Sequence, residues 1–235
     1  MKNIIVCKNC NEENPFYGLI CKNCNSYLRE RIFNIDLWKV IGLLIESPRK
    51  GFEIIIQSEH KNFLLTIFIF ASIKLFIDSM FLSLITHKYE PAFDNFIVSF
   101  LIIAASLAFF LIFISIILTF TNTMAGLKTR FRDNISILVF SLLPHVFGLI
   151  ILFIVELTIF GGTLFSKNPS PFTIKEGLAY TLTVFEFLVV IWGIFLSISA
   201  VKTQSRNLVY SIIAGLVFNA LIYFVIYSNS FYLYN

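Results

Sequence analysis

Five long apolar stretches, at residues 63–86, 96–120, 135–160, 178–201 and 208–227, constrain this chain more than anything else in it. A hydrocarbon core about 30 Å thick takes about 20 helical residues to cross, and each stretch reaches that length. Composition agrees: 57% of the 235 residues are hydrophobic and only 14% are charged, where a soluble domain carries nearer a quarter. The 28 phenylalanines are spread through these runs rather than gathered in one core. Most of the surface therefore cannot face water. The sequence predicts an all-α membrane protein with five transmembrane helices in the bilayer, spanning residues 62–230.

Charge between the stretches sets the expected topology. Arg49, Lys50 and Lys61 precede the first; Lys128, Arg130 and Arg132 separate the second from the third; Lys202 and Arg206 separate the fourth from the fifth. The opposite connections balance Lys88 against Glu90 and Asp94, and Lys167 and Lys175 against Glu176. The positive-inside rule then puts the N-terminus in the cytosol and the C-terminal residues 228–235 outside. No cleavable signal peptide is expected, because cysteines occupy the place of its apolar region. The net charge of +4 comes from these basic connections, and no basic tract interleaved with aromatics points to nucleic acid.

All four cysteines fall within the first 24 residues, as Cys7-x2-Cys10, ten intervening residues, then Cys21-x2-Cys24. Each tight CxxC turn delivers two thiolates, and two such pairs suit a tetrahedral Zn²⁺. Four thiolates fill the coordination sphere, so the expected metal is structural. Two disulfides, or a redox CxxC, are the other readings; the first needs an oxidising compartment, and the second has no use for a nearby copy. Asn11 and Asn25 follow the second cysteine of each pair, where a left-handed backbone is often required and asparagine tolerates it. Residues 1–30 own almost no core beyond Ile5, Pro15, Phe16, Tyr17, Leu19 and Ile20, so metal must supply most of their folding energy. The stretch VCKNCNEENPFYGLICKNCNSYL resembles the small zinc ribbon that precedes the helices of many bacterial and archaeal membrane proteins. In that module each CxxC is usually followed by glycine; here asparagine stands in both places.

Residues 31–61 form a transition. Ile35, Leu37, Trp38, Val40, Ile41, Leu44 and Ile45 recur at near-helical spacing, broken by Asp36, Lys39 and Glu46, until Ser47-Pro48 ends the helix. A second short segment places Phe52, Ile55 and Ile56 on one side. Neither is long or apolar enough to span. Interfacial helices with Trp38 at headgroup depth are one reading; helices packed beneath the bundle are the other.

The run Leu44-x3-Pro48-x3-Phe52-x2-Ile55 ahead of the first span resembles the start of the Yip1 domain. Gly126, Phe131-Arg132-Asp133, the third span with Leu143-Pro144, and Ser205 to Leu208 before the fifth are similar to positions of that family. The resemblance rests on scattered positions and on hydropathy layout over residues 35–230. It implies a five-helix, Yip1-like fold preceded by interfacial helices and a small N-terminal zinc ribbon. It also implies a multi-pass protein of a prokaryotic cell membrane with a membrane-organising or partner-recruiting role, the partner engaged through the cytosolic ribbon. No enzyme signature of the GxSxG, HExxH, Walker or dinucleotide kind is present, and no enzyme is expected.

Ionisable residues inside the spans are costly and face the bundle. Lys74 and Asp78 lie four apart on one helical face; Asp78 and Glu186 both fall in the outer half of the membrane, with Glu156 nearer the outer surface, so Lys74 is expected between carboxylates of two helices. A structural ion pair is one reading. A small transporter or channel using Lys74, Asp78 and Glu186 is the alternative. In the third span Pro144 is expected to kink the helix, with His145 hydrogen-bonded to the kink.

Overall fold

A computed structural model describes residues 3–86 and 96–232. Two short strands, β1 (Ile4–Val6) and β2 (Glu13–Pro15), precede a chain that is otherwise helical. Two ten-residue helices follow, α1 (Leu37–Glu46) and α2 (Pro48–Gln57), then the long α3 (Leu64–Thr86) and α4 (Phe96–Met124). The next stretch is segmented into α5 (Phe131–Ser141), α6 (Leu143–Phe147), a π-helical turn (Gly148–Phe153), α7 (Ile154–Phe160) and a 3₁₀ turn (Gly161–Phe165). A short α8 (Pro171–Ile174) leads into α9 (Glu176–Ser205) and α10 (Leu208–Tyr232). Five of these stretches are long and apolar enough to cross a membrane, which is consistent with an integral, multi-pass membrane protein: Leu64–Leu82, Phe96–Met124, Phe131–Phe165, Glu176–Ser205 and Leu208–Ser230. Lys88, Glu90 and Asp94 lie outside the described residues, as do positions 233–235.

The chain forms two compact units. The first draws on Met1–Leu65, Leu111–Ser141 and Phe195–Val217. Its N-terminal hairpin pairs β1 antiparallel with β2, and a second bridge joins Ile20 to Tyr27. Asp36 caps α1 by accepting from the Lys39 N–H at 3.1 Å, and Pro48 opens α2 at a position where its missing N–H leaves nothing unpaired. The two helices bury facing apolar sides, Val40 and Leu44 against Phe52, Ile55 and Ile56, and α2 also packs on α5. Arg31 grips Glu59 with two 2.9 Å bonds, and Asn62 exchanges two hydrogen bonds with the backbone of Ile35. These contacts close the α1–α2 hairpin at its base. A Cβ on Gly215 would lie 2.6 Å from Ile198 Cγ1, so α10 touches α9 at a point that admits no side chain.

Polar residues at the start of α5 do not interrupt it. Asp133 is only 1% exposed, yet Lys61 Nζ approaches its Oδ1 to 3.0 Å and Arg130 reaches both oxygens, at 2.7 and 3.1 Å. Lys61 also donates to the carbonyls of Ile55 and Ile56, the free C-terminal acceptors of α2. Burial pushes the Lys61 ammonium down to about 8 in spite of Asp133, whose charge pulls the other way. The helix therefore starts four residues ahead of the hydropathy boundary at 135.

The second unit draws on Thr66–Phe110, Leu142–Ile194 and Phe218–Asn235. Pro144 cannot donate an N–H, and the helix breaks at Leu142 before resuming. The expected bond from the His145 ring to this kink is not made. The backbone N–H of His145 serves the turn instead, donating to Leu142 at 3.0 Å. The ring itself is buried, without a hydrogen bond to either nitrogen among the described residues. Phe160, Leu164, Ala179 and Leu182 form a core with Phe81, Phe153 and Phe172 packed around it.

Candidate metal centre and buried ion cluster

The four cysteines converge. Their sulfurs all lie within 4.8 Å of one another, with Cys7 3.5 Å from Cys24 and Cys10 3.6 Å from Cys21, and all four are free thiols. Two copies of one backbone device bring them there. In each copy the N–H of the first cysteine donates to a carbonyl five residues on (Cys7 to Glu12, Cys21 to Ser26). The residue after the second cysteine donates back (Asn11 to Cys7, Asn25 to Cys21). Closing that loop needs left-handed backbone, and Asn11 and Asn25 supply φ of 57° and 58°. Four soft sulfurs at this spacing can hold one metal ion.

Two further side chains complete the centre. The Ser26 hydroxyl lies 3.2 Å from the Cys7 sulfur and 3.0 Å from that of Cys24. Hydrogen bonds from this hydroxyl, and a backbone N–H of the same residue, hold the Cys24 thiol down at about 5; the hydroxyl lowers Cys7 too. At Cys10 a backbone bond from Glu12 acts downward, but burial and the neighbouring sulfurs push it up to about 12. Charge in the metal-free cluster thus settles on the Ser26 side. Asn14, buried in β2, donates to the Glu12 carbonyl at 2.9 Å and to the Cys21 sulfur at 3.5 Å, while its Oδ1 accepts from the Lys22 N–H at 3.1 Å. It ties the first hairpin to the second knuckle. Asn14→Ala is expected to weaken metal binding by about 10- to 100-fold, as loss of such outer contacts does elsewhere; competition with a chromophoric chelator measures it.

The ribbon is fastened within its unit by carbonyl caps. Asn3 Nδ2 donates to Gln204 at 2.8 Å and Thr203 at 3.4 Å, at the C-terminal end of α9. Arg29 donates to Gly18, Tyr17 and Gln57, the last being the C-terminal residue of α2. The Arg130 guanidinium stacks 4.2 Å over the Tyr17 ring.

In the second unit the structure brings Lys74, Asp78 and Glu186 together. Lys74 is 1% exposed, and its Nζ lies 2.6 Å from Asp78 Oδ1 and 2.7 Å from Glu186 Oε1, linking α3 to α9. Gly148, which opens the π-helical turn, makes room: a Cβ there would stand 3.0 Å from Lys74 Cε. Glu156 does not join the ion pair. Its Oε2 is buried with no hydrogen-bond partner among the described residues.

Sequence reasoning missed Asn14, Ser26 and the Lys61–Asp133–Arg130 cluster. Ser26 lies two residues after Cys24, as Glu12 does after Cys10, so the repeat itself carried a signal. Lys61 and Asp133 carried none.

Fold and site together define a class: a mostly helical chain with five candidate membrane spans and a four-thiol centre that could hold a metal. Comparison with protein families, with curated proteins and with solved structures finds no match to this chain.

Proposed function

We propose that the chain is a non-enzymatic, Yip1-like membrane protein whose N-terminal ribbon is built on one structural Zn²⁺ and recruits a cytosolic protein partner. Sulfur separations of 3.5 and 3.6 Å support zinc, since a tetrahedron with Zn–S of about 2.3 Å has edges of about 3.8 Å. Four thiolates would leave no open position for catalysis. Basic residues flanking the spans support a cytosolic N-terminus in a prokaryotic cell membrane. Trp38, 81% exposed on α1, and the exposed Ile45 two turns further on the same face support an interfacial placement for that helix. The packing of α2 on α5 supports burial beneath the bundle for the other.

The observation that carries recruitment is the ribbon's outer face. Ile20 and Tyr27, paired across the second hairpin, are both exposed, with Tyr27 at 74%. A module with so little core spends two of its larger apolar residues on solvent, which suits a partner surface. Co-purification of the intact chain against Cys21→Ser/Cys24→Ser tests it. A protein retained by the first and lost with the metal from the second is the expected result. An unchanged set of partners reduces the ribbon to a stabilising cap.

A further inference from the structure

The second unit contains a half-open cavity of about 280 Å³, near the lower end of the range for small-molecule sites. Its polar side chains come from four helices: Asp78 on α3, Glu156 on α7, Thr183 and Glu186 on α9, and Tyr223 on α10. The rest of the lining is mostly apolar, with Phe81, Phe160, Phe172 and Phe187 prominent. Lys74 engages one oxygen each of Asp78 and Glu186. One ammonium therefore stands against three carboxyl groups. The third, Glu156, is 5% exposed, lines the cavity, and leaves Oε2 without a hydrogen bond among the described residues; the Tyr223 hydroxyl is likewise buried and unpartnered.

These groups discriminate among occupants. An anion would meet three carboxyls. A neutral apolar molecule would leave Glu156 unpaired and strip water from it. A bare metal ion needs several oxygens converging to about 2.0–2.6 Å from one point, and among the described residues the only group of acidic, histidine or cysteine side chains that close is the cysteine cluster. A positively charged nitrogen on an apolar body meets every requirement: it donates to Glu156 and Tyr223, restores the charge balance, and lays its body and charge against aromatic faces.

We propose that this cavity is a binding site for a small organic cation, a protonated amine carrying an aromatic or aliphatic body, with Glu156 as its principal carboxylate. The site is independent of the ribbon and of the reading given for it. The test uses the purified full chain in nanodiscs and three probes of like size: 2-phenylethylammonium, neutral 3-phenyl-1-propanol and anionic 3-phenylpropanoate. Calorimetry is expected to show saturable binding of the ammonium with a Kd of about 1 mM or tighter, and binding at least tenfold weaker for the other two. Glu156→Gln is expected to weaken the ammonium at least tenfold and leave the alcohol unchanged. Ala179→Phe, which fills the cavity from its wall, is expected to abolish ammonium binding and decides the matter where Glu156→Gln does not fold. Equal binding of all three probes, no binding of any, or ammonium binding that survives Ala179→Phe as lipid partitioning would, overturns the proposal.

Discussion

Lys74→Met is expected to destabilise the protein by about 3–5 kcal/mol, the range for removing one partner from a buried ion pair. The methionine fits the space along Gly148, but Asp78 and Glu186 then share a low-dielectric region with no cation between them. The single neutralisations Asp78→Asn and Glu186→Gln should be milder, since Lys74 keeps one carboxylate at 2.6 or 2.7 Å in each. Neutralising all three together should recover most of the loss, because an isosteric neutral set removes the uncompensated charge along with the attraction. Thermal unfolding in detergent, followed by the monodisperse fraction, orders the five proteins. A Lys74→Met variant as stable as the wild type would show that the cluster does not hold α3 to α9. A variant set that is stable but inactive in a flux assay would favour transport.

Loss of the proposed Zn²⁺ is the second large effect. Structural zinc sites of this type contribute on the order of 10–16 kcal/mol to folding of their module, and the ribbon has little else. Chelation, or Cys21→Ser, is expected to abolish bound metal and to bring amide exchange of residues 3–28 to the rate of an unfolded chain. Lowering the pH should act in the same direction. Metal binding requires four thiolates, and the free cluster holds Cys10 protonated, with its thiol at about 12, while Cys24 at about 5 is already ionised near neutrality. Apparent affinity should therefore fall as pH falls, by about tenfold per unit for each proton that metal must displace. Titration in weakly buffered solution reads the released protons directly. Binding that is flat between pH 8 and 6 would contradict the four-thiolate centre.

The cysteine knuckles and the apolar spans were legible in the sequence because each is a local pattern. Asn11 and Asn25 sit at fixed offsets from cysteines, and their backbone follows from that spacing alone. Lys74 and Asp78 are one helical turn apart, so their meeting needed no tertiary knowledge; Glu186, 112 positions from Lys74, entered only through matched depth. Lys61 and Asp133 show the limit. A lysine just ahead of an apolar run has the same appearance whether it marks topology or is drawn onto a carboxylate 72 positions away. The hydropathy boundary at 135 failed for the same reason, because Asp133 looks like the end of a span unless its two cations are known. The cavity was readable only in part: Asp78, Glu186 and Glu156 stood out as charges inside apolar runs, but Tyr223 and the aromatic lining carried no signal, because no spacing relates residues of four helices.

The π-helical turn of Gly148–Phe153 sets which way Glu156 faces. Such a turn holds one residue more than an α-helical turn in its place. Were it rewound to ordinary helix with every residue kept, everything from Ile154 onward would rotate by about 100° about the axis. Glu156 would swing from the cavity wall toward a neighbouring face, with no side chain in the site itself altered. The site is thus recorded partly in how one turn of backbone is wound, and a comparison of its side chains alone would overlook its loss.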